Sequence, residues 1–187
     1  VMAKTDGLPE AVTTMPEAFH DAGYYTHGIV TNYNVAPYFH FDQGFDVYDY
    51  LEPDFVLGAD DSAAKLLLVQ FLRQRIEGVR DRLQGGTPRG AAYQDASVVT
   101  RHLLEAMEQA PSDRPSMFFV GYMDPHDPYY GHPGFTEGYG RAAHQEPGAE
   151  EAAHLSELYD GEITYWDEHF GALVAELRAR GLYDDLT

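Results

Sequence analysis

Hydrophobic positions recur with two different periods along the chain, and the switches between them mark the predicted elements. Thr13-Thr14-Met15-Pro16-Glu17 opens a helix, because a Thr can cap, Pro fits the first turn and Glu complements the helix dipole. Phe19 and Ala22 face inward and Gly23 ends the helix. Tyr24 to Thr31 (YYTHGIVT) is short and β-rich and reads as a strand. Residues 33–57 are aromatic and acidic, broken by Pro37, Gly44 and Pro53, and predict an ordered loop with short extended pieces. A helix is expected over 59–83, capped by Asp60, Asp61 or Ser62, before the break at 84–90. Another is expected over 94–109, with Val98, His102, Leu103 and Met107 near one stripe. Ser116 to Met123 (SMFFVGYM) is a continuous apolar run and predicts a strand buried on both faces. The Gly- and Pro-rich residues 131–149 read as a long loop. Glu150 to Arg180 is the longest helical pattern, with Leu155, Leu158, Tyr159, Ile163, Trp166, Phe170, Leu173, Val174 and Leu177 at three- and four-residue steps. Gly161 is expected to kink or divide it, and Gly181 to end it. Helix, turn and strand in this order give the α/β class. Two strands are too few to bury these helices, so either strands are hidden or the sheet is incomplete.

Composition narrows the function classes. The net charge is −19, with 31 acidic residues and only two lysines, Lys4 and Lys65. A nucleic-acid partner is therefore excluded, since phosphate binding needs a basic patch. The acidity fits either a solvated acidic surface or adaptation to high salt. No apolar run of about 18 residues exists to span a membrane. Without cysteine there is neither a disulfide nor a thiolate metal site. The first residue is Val1 and not a start methionine, which agrees with a piece cut from a larger protein.

Candidate chemistry concentrates in Asp124-Pro125-His126-Asp127-Pro128-Tyr129. It follows the predicted strand 116–123, and ligand sites in α/β sheets lie beyond the carboxyl ends of strands. Two prolines restrict His126, which can donate to an anionic group or protonate a leaving oxygen. Flanking Asp124 and Asp127 would favour imidazolium. The alternative is a loop histidine bonded to a neighbouring carboxylate. Asp42, Asp46 and Asp49 fit no EF-hand spacing and read as a solvated acidic loop, so no metal ligand is assigned within the chain. His20, His102 and His169 lie in predicted helices and read as packing or surface residues. His132, His144 and His154 lie in or beside the long loop and carry no assignment. A Gly-rich phosphate cradle and a Gly-x-Ser-x-Gly elbow are both missing from the sequence.

FFVGYMDPHDPYY (118–130) resembles the strand and Pro-His-x-Pro segment of the sulfatases, a family of the alkaline phosphatase superfamily. Two further stretches are similar in the expected order: MPEAFHDAGYYTHGIVTNYNV (15–35) with FDQGFDVYDY (41–50), and LYDGEITYWDEHFGALVAELRARGLYDDLT (158–187). The resemblance implies part of an alkaline-phosphatase-like sandwich, a mostly parallel central sheet flanked by helices. Residues 1–187 would form the central portion of one catalytic domain. It further implies hydrolysis of a small-molecule or carbohydrate sulfate ester, with a formylglycine nucleophile and a divalent metal, calcium in most members, held mainly by residues outside this chain. The family's sulfate-contacting histidine maps onto His126, with Asp124, Asp127 and Asn32 as further substrate-contact candidates. Where many members carry Gly-Lys-Trp-His, this chain has Val30, Thr31, Asn32 and Tyr33, losing that lysine and histidine. Two alternatives stay open: phosphodiesterase, phosphonate hydrolase or phosphoglycerol transferase chemistry in the same superfamily, or an inactive binding scaffold.

Overall fold

Thr14 begins the first helix through a reciprocal cap. Its hydroxyl accepts from the Glu17 amide, while the Glu17 carboxylate accepts from the Thr14 amide at 2.7 Å. In the computed structural model, which describes residues 7–53, 93–142 and 146–186, this helix is α1 (Met15–Asp21). Gly23, at φ 86°, supplies the left-handed turn that ends it. The helix expected over 59–83, with its caps at Asp60 and Asp61, and His144 lie outside the described residues. The chain divides into two compact units, residues 1–52 with 97–123, and residues 53–96 with 124–187.

The first unit is built on β1 (Tyr25–Val30), every residue of which is buried. It runs parallel to β2 (Val47–Tyr50) on one side and to β3 (Ser116–Gly121) on the other, pairing His27 with Val47 and Tyr25 with Ser116. The mixed α/β reading holds, and the sheet is parallel as an alkaline-phosphatase-like sandwich requires. β2 is one of the short extended pieces expected within 33–57. It has four residues, one of them Asp49, so its hydrophobic signal is weak; its ladder to β1 defines it. The strand 116–123 was expected to be buried on both faces, but Phe119 is 44% exposed. β3 is an edge of the three-stranded sheet formed by the described residues, and none of its residues is fully buried. Phe118, on the face opposite Phe119, stacks on His27.

The helix expected over 94–109 is α2 (Ala96–Gln109), whose stripe is shifted from the expected one. Val99, Leu103 and Ala106 are buried, whereas Val98, His102 and Met107 are only partly covered.

In the second unit the expected long loop contains a short strand, β5 (Tyr139–Gly140), which pairs antiparallel with β4 (Tyr129–Tyr130) just before the loop. The pair packs on α3 (Ala149–Ala179), where Leu155 and Leu158 are buried. A Cβ on Gly140 would come within 2.6 Å of Leu155 and 2.8 Å of Leu158, so glycine permits this approach. Gly161 does not divide α3, which runs unbroken for 31 residues. It admits the crossing loop instead, because a Cβ there would lie 2.5 Å from the Thr136 hydroxyl. Tyr159, Ile163 and Phe170, expected on the buried stripe, are each 40% exposed. Gly181, at φ 69°, ends the helix as expected. Among the described residues, no helix is long and apolar enough to cross a membrane.

Candidate functional site

Residues 124–128 follow β3 in sequence and belong to the second unit. Both aspartyl-prolyl bonds, Asp124–Pro125 and Asp127–Pro128, are cis. His126 is exposed and its Nδ1 lies 2.5 Å from the Asp127 carbonyl. A carbonyl only accepts, so Nδ1 carries the proton of this bond and is held by it, while Nε2 is the other ring nitrogen. The ring can thus meet an anion or a leaving oxygen through Nε2 while its neighbour's backbone fixes its orientation.

A buried polar frame holds this loop from below. The Tyr93 hydroxyl, in a residue only 3% exposed, reaches the His126 carbonyl at 3.0 Å, the Pro128 carbonyl at 3.3 Å and Glu162 Oε2 at 3.3 Å. Having one proton, it serves these acceptors in turn. Glu162 Oε1 accepts from the Tyr130 amide. Burial, then the charges of Glu162 and Asp124, push the Tyr93 phenol far up, so it stays a donor. Burial likewise pushes Glu162 up to about 7, against the Tyr130 amide, which favours the carboxylate. The sequence reading missed both residues. Glu162 had one legible signal, since it lies on the same helical face as Leu155 and Leu158 and so interrupts an apolar stripe.

The other three candidates take different positions. Asp124 turns inward, with its side chain fully buried. Burial pushes it up to about 6, opposed by its own amide and that of Ala96, with the Asp95 charge adding to the rise. Asp127 is half-buried, accepts from the Ala142 amide and lies 3.6 Å from Arg141. Asn32, in the first unit, caps the turn at Tyr33–Val35 by accepting from the Asn34 amide at 2.8 Å, which leaves its amide nitrogen as a donor.

Beside Asp124 and Glu162 lies His132, 8% exposed. These three offer one ligand atom each within 4.8 Å of one another. Burial lowers the His132 pKa, against the Asp95 charge and assisted by His169. This donor set does not match calcium, which takes six to eight oxygens.

In the first unit, the acidic stretch expected to be solvated is engaged. Asp49 Oδ2 accepts from His27 Nε2 at 2.8 Å and from His102 Nε2 at 2.9 Å. His27 Nδ1 then accepts from the Tyr25 hydroxyl at 3.1 Å. Asp46 accepts from the Thr26 amide and pairs with Arg114 and His20. For Asp49, burial raises the pKa but the two histidine hydrogen bonds outweigh it, and the net shift is downward. A depressed folded pKa gives stability that is present above the unfolded value, near 3.9, and lost as pH falls through the folded one. The stability difference between wild type and Asp49→Asn is therefore expected to be clear at pH 6 and to shrink below about pH 4. Urea titrations across that range test this, and a gap unchanged at pH 2.5 would contradict it.

A family model described as Sulfatase matches residues 1–187. In a comparison with curated proteins, none matches the chain.

Proposed function

From the premise that the chain belongs to the sulfatase family, we propose that the protein hydrolyses sulfate esters and that His126 is its contribution to the chemistry. The observation that carries this reading is the exposed His126, its ring held through Nδ1, in a Pro-His-x-Pro segment of a chain matched by the family along its whole length.

When the S–O bond breaks, negative charge develops on the alcohol oxygen. A protonated His126 donates from Nε2 to that oxygen, so the alcohol leaves neutral and the ring is left neutral with its remaining proton on Nδ1. Tyr93 and Glu162 act beneath it as positioning residues, by holding the His126 and Pro128 carbonyls and the Tyr130 amide. Asp127 and Asn32 are proposed substrate contacts, Asn32 as an amide donor to a sulfate oxygen. Burial directs Asp124 away from that role. The nucleophile, formylglycine by resemblance, and the metal are proposed to come from outside this chain.

The test compares turnover by the intact protein of the sulfate monoester, phosphate monoester, phosphate diester and phosphonate ester of one alcohol. The expected result is the highest kcat/KM on the sulfate. Preference for the phosphate diester or the phosphonate would move the reaction within the superfamily, and no turnover of any would favour an inactive scaffold.

A further inference from the structure

We propose that Asp124, His132 and Glu162 bind one zinc ion in the interior of the second unit, as a structural site. The donors come from three separate stretches: the segment after β3, the loop between β4 and β5, and the middle of α3. Their ligand atoms converge within 4.8 Å, and all three residues are buried.

The spacing fits a shared cation better than a hydrogen bond. His132 Nε2 lies 3.7 Å from Asp124 Oδ1 and 3.9 Å from Glu162 Oε1. The same chain shows what a histidine bonded to a carboxylate looks like, at 2.8 Å between His27 and Asp49. Zinc with bonds of about 2.0–2.1 Å in tetrahedral geometry separates its ligand atoms by about 3.3–3.4 Å. Closing the two gaps to His132 by a few tenths of an ångström reaches that value, and the Asp124 and Glu162 ligand atoms already lie within 4.8 Å of one another.

Two of the three donors are also poorly satisfied. His132 Nε2 and both Asp124 carboxylate oxygens are buried without a hydrogen bond of good geometry, although the Asp124 and Ala96 amides lie near enough to favour the carboxylate. Leaving such groups bare is costly, and buried charge is expected to be paired or metal-bound. Among the described residues, no Arg or Lys forms an ion pair with Asp124 or Glu162. A divalent ion would match the two carboxylates in charge.

Neighbouring groups orient the donors, as in metal sites generally. The Tyr130 amide and the Tyr93 hydroxyl hold the Glu162 carboxylate. The His132 ring lies flat on Tyr165, with centroids 3.7 Å apart and planes 5° from parallel. One imidazole and two carboxylates with a fourth position for water is a zinc set, while calcium would need more oxygens. Bound there, the ion would tie α3 and the 132 loop to the residue two before His126.

The intact protein is stripped with chelator, incubated with excess Ca²⁺ and a slight molar excess of Zn²⁺ over protein, dialysed, and its metal content measured. The expected result is one zinc retained per wild-type chain, with none in His132→Ala and calcium content equal in the two. Zinc retention that is absent, or unchanged by His132→Ala, would overturn the proposal. Should that variant fail to fold, wild-type crystals soaked in Zn²⁺ decide the matter. An anomalous peak about 2.0–2.2 Å from the three donor atoms supports the site, and a peak elsewhere or none refutes it. The readout is metal, not turnover, so failure here would leave sulfate ester hydrolysis standing, and failure there would leave this site standing.

Discussion

His126→Ala in the intact protein is expected to lower kcat/KM for an alkyl sulfate by about 10²–10⁴, the range for removing a group that transfers a proton in the transition state. His126 is exposed, and its ring's one described hydrogen bond is to its neighbour's carbonyl, while the bond its own carbonyl accepts from Tyr93 survives the substitution. The substitution should therefore change stability by less than about 0.5 kcal/mol, which separates chemistry from folding. An alkoxide is a poor leaving group, so the proton from Nε2 matters most with such a substrate. A loss below about threefold at unchanged melting temperature would remove His126 from the reaction.

Glu162→Ala is expected to cost about 3 kcal/mol of stability in metal-free buffer. Glu162 is completely buried. Its removal leaves the Tyr130 amide without an acceptor, at about 1–3 kcal/mol, and opens a cavity under β4. Tyr93 keeps the His126 and Pro128 carbonyls as acceptors, so its hydroxyl is not orphaned. Glu162→Gln retains an oxygen for the Tyr130 amide and should cost under about 1 kcal/mol. The loop carrying His126 loses part of its frame in the alanine variant, so kcat/KM should fall about tenfold as well. Urea titration measures the stability and steady-state kinetics the rest. Equal losses for Ala and Gln would show that the acceptor is not what matters.

The elements that depend on local pattern were legible in the sequence. α1 follows from the Thr14–Glu17 cap, β1 from its β-rich run, and α3 from 31 residues of helical spacing. β2 was legible only as a short extended piece in a loop, and the β4–β5 ladder not at all, because they are two to four residues long and are defined by pairing: β2 with β1, and β4 with β5. The same division runs through the candidate site. The two prolines flagged the His126 loop, but its frame comes from Tyr93, 33 residues before it, and from Glu162, 32 residues after Tyr130. His132, carrying no assignment as one of three loop histidines, gains meaning only where α3 brings Glu162 beside it. Asp49 read as one of several solvated acids, since nothing local signals that His27 and His102 share one of its oxygens.

The most direct measurement is kcat/KM of wild type and His126→Ala across sulfate esters whose leaving groups run from 4-nitrophenol to a simple alkanol. Proton donation from His126 predicts a loss that grows with the basicity of the leaving oxygen, slight for the nitrophenyl ester and about 10²–10⁴ for the alkyl ester. A loss of one size across the whole series would contradict proton transfer from His126 and leave it as a contact to the sulfate alone.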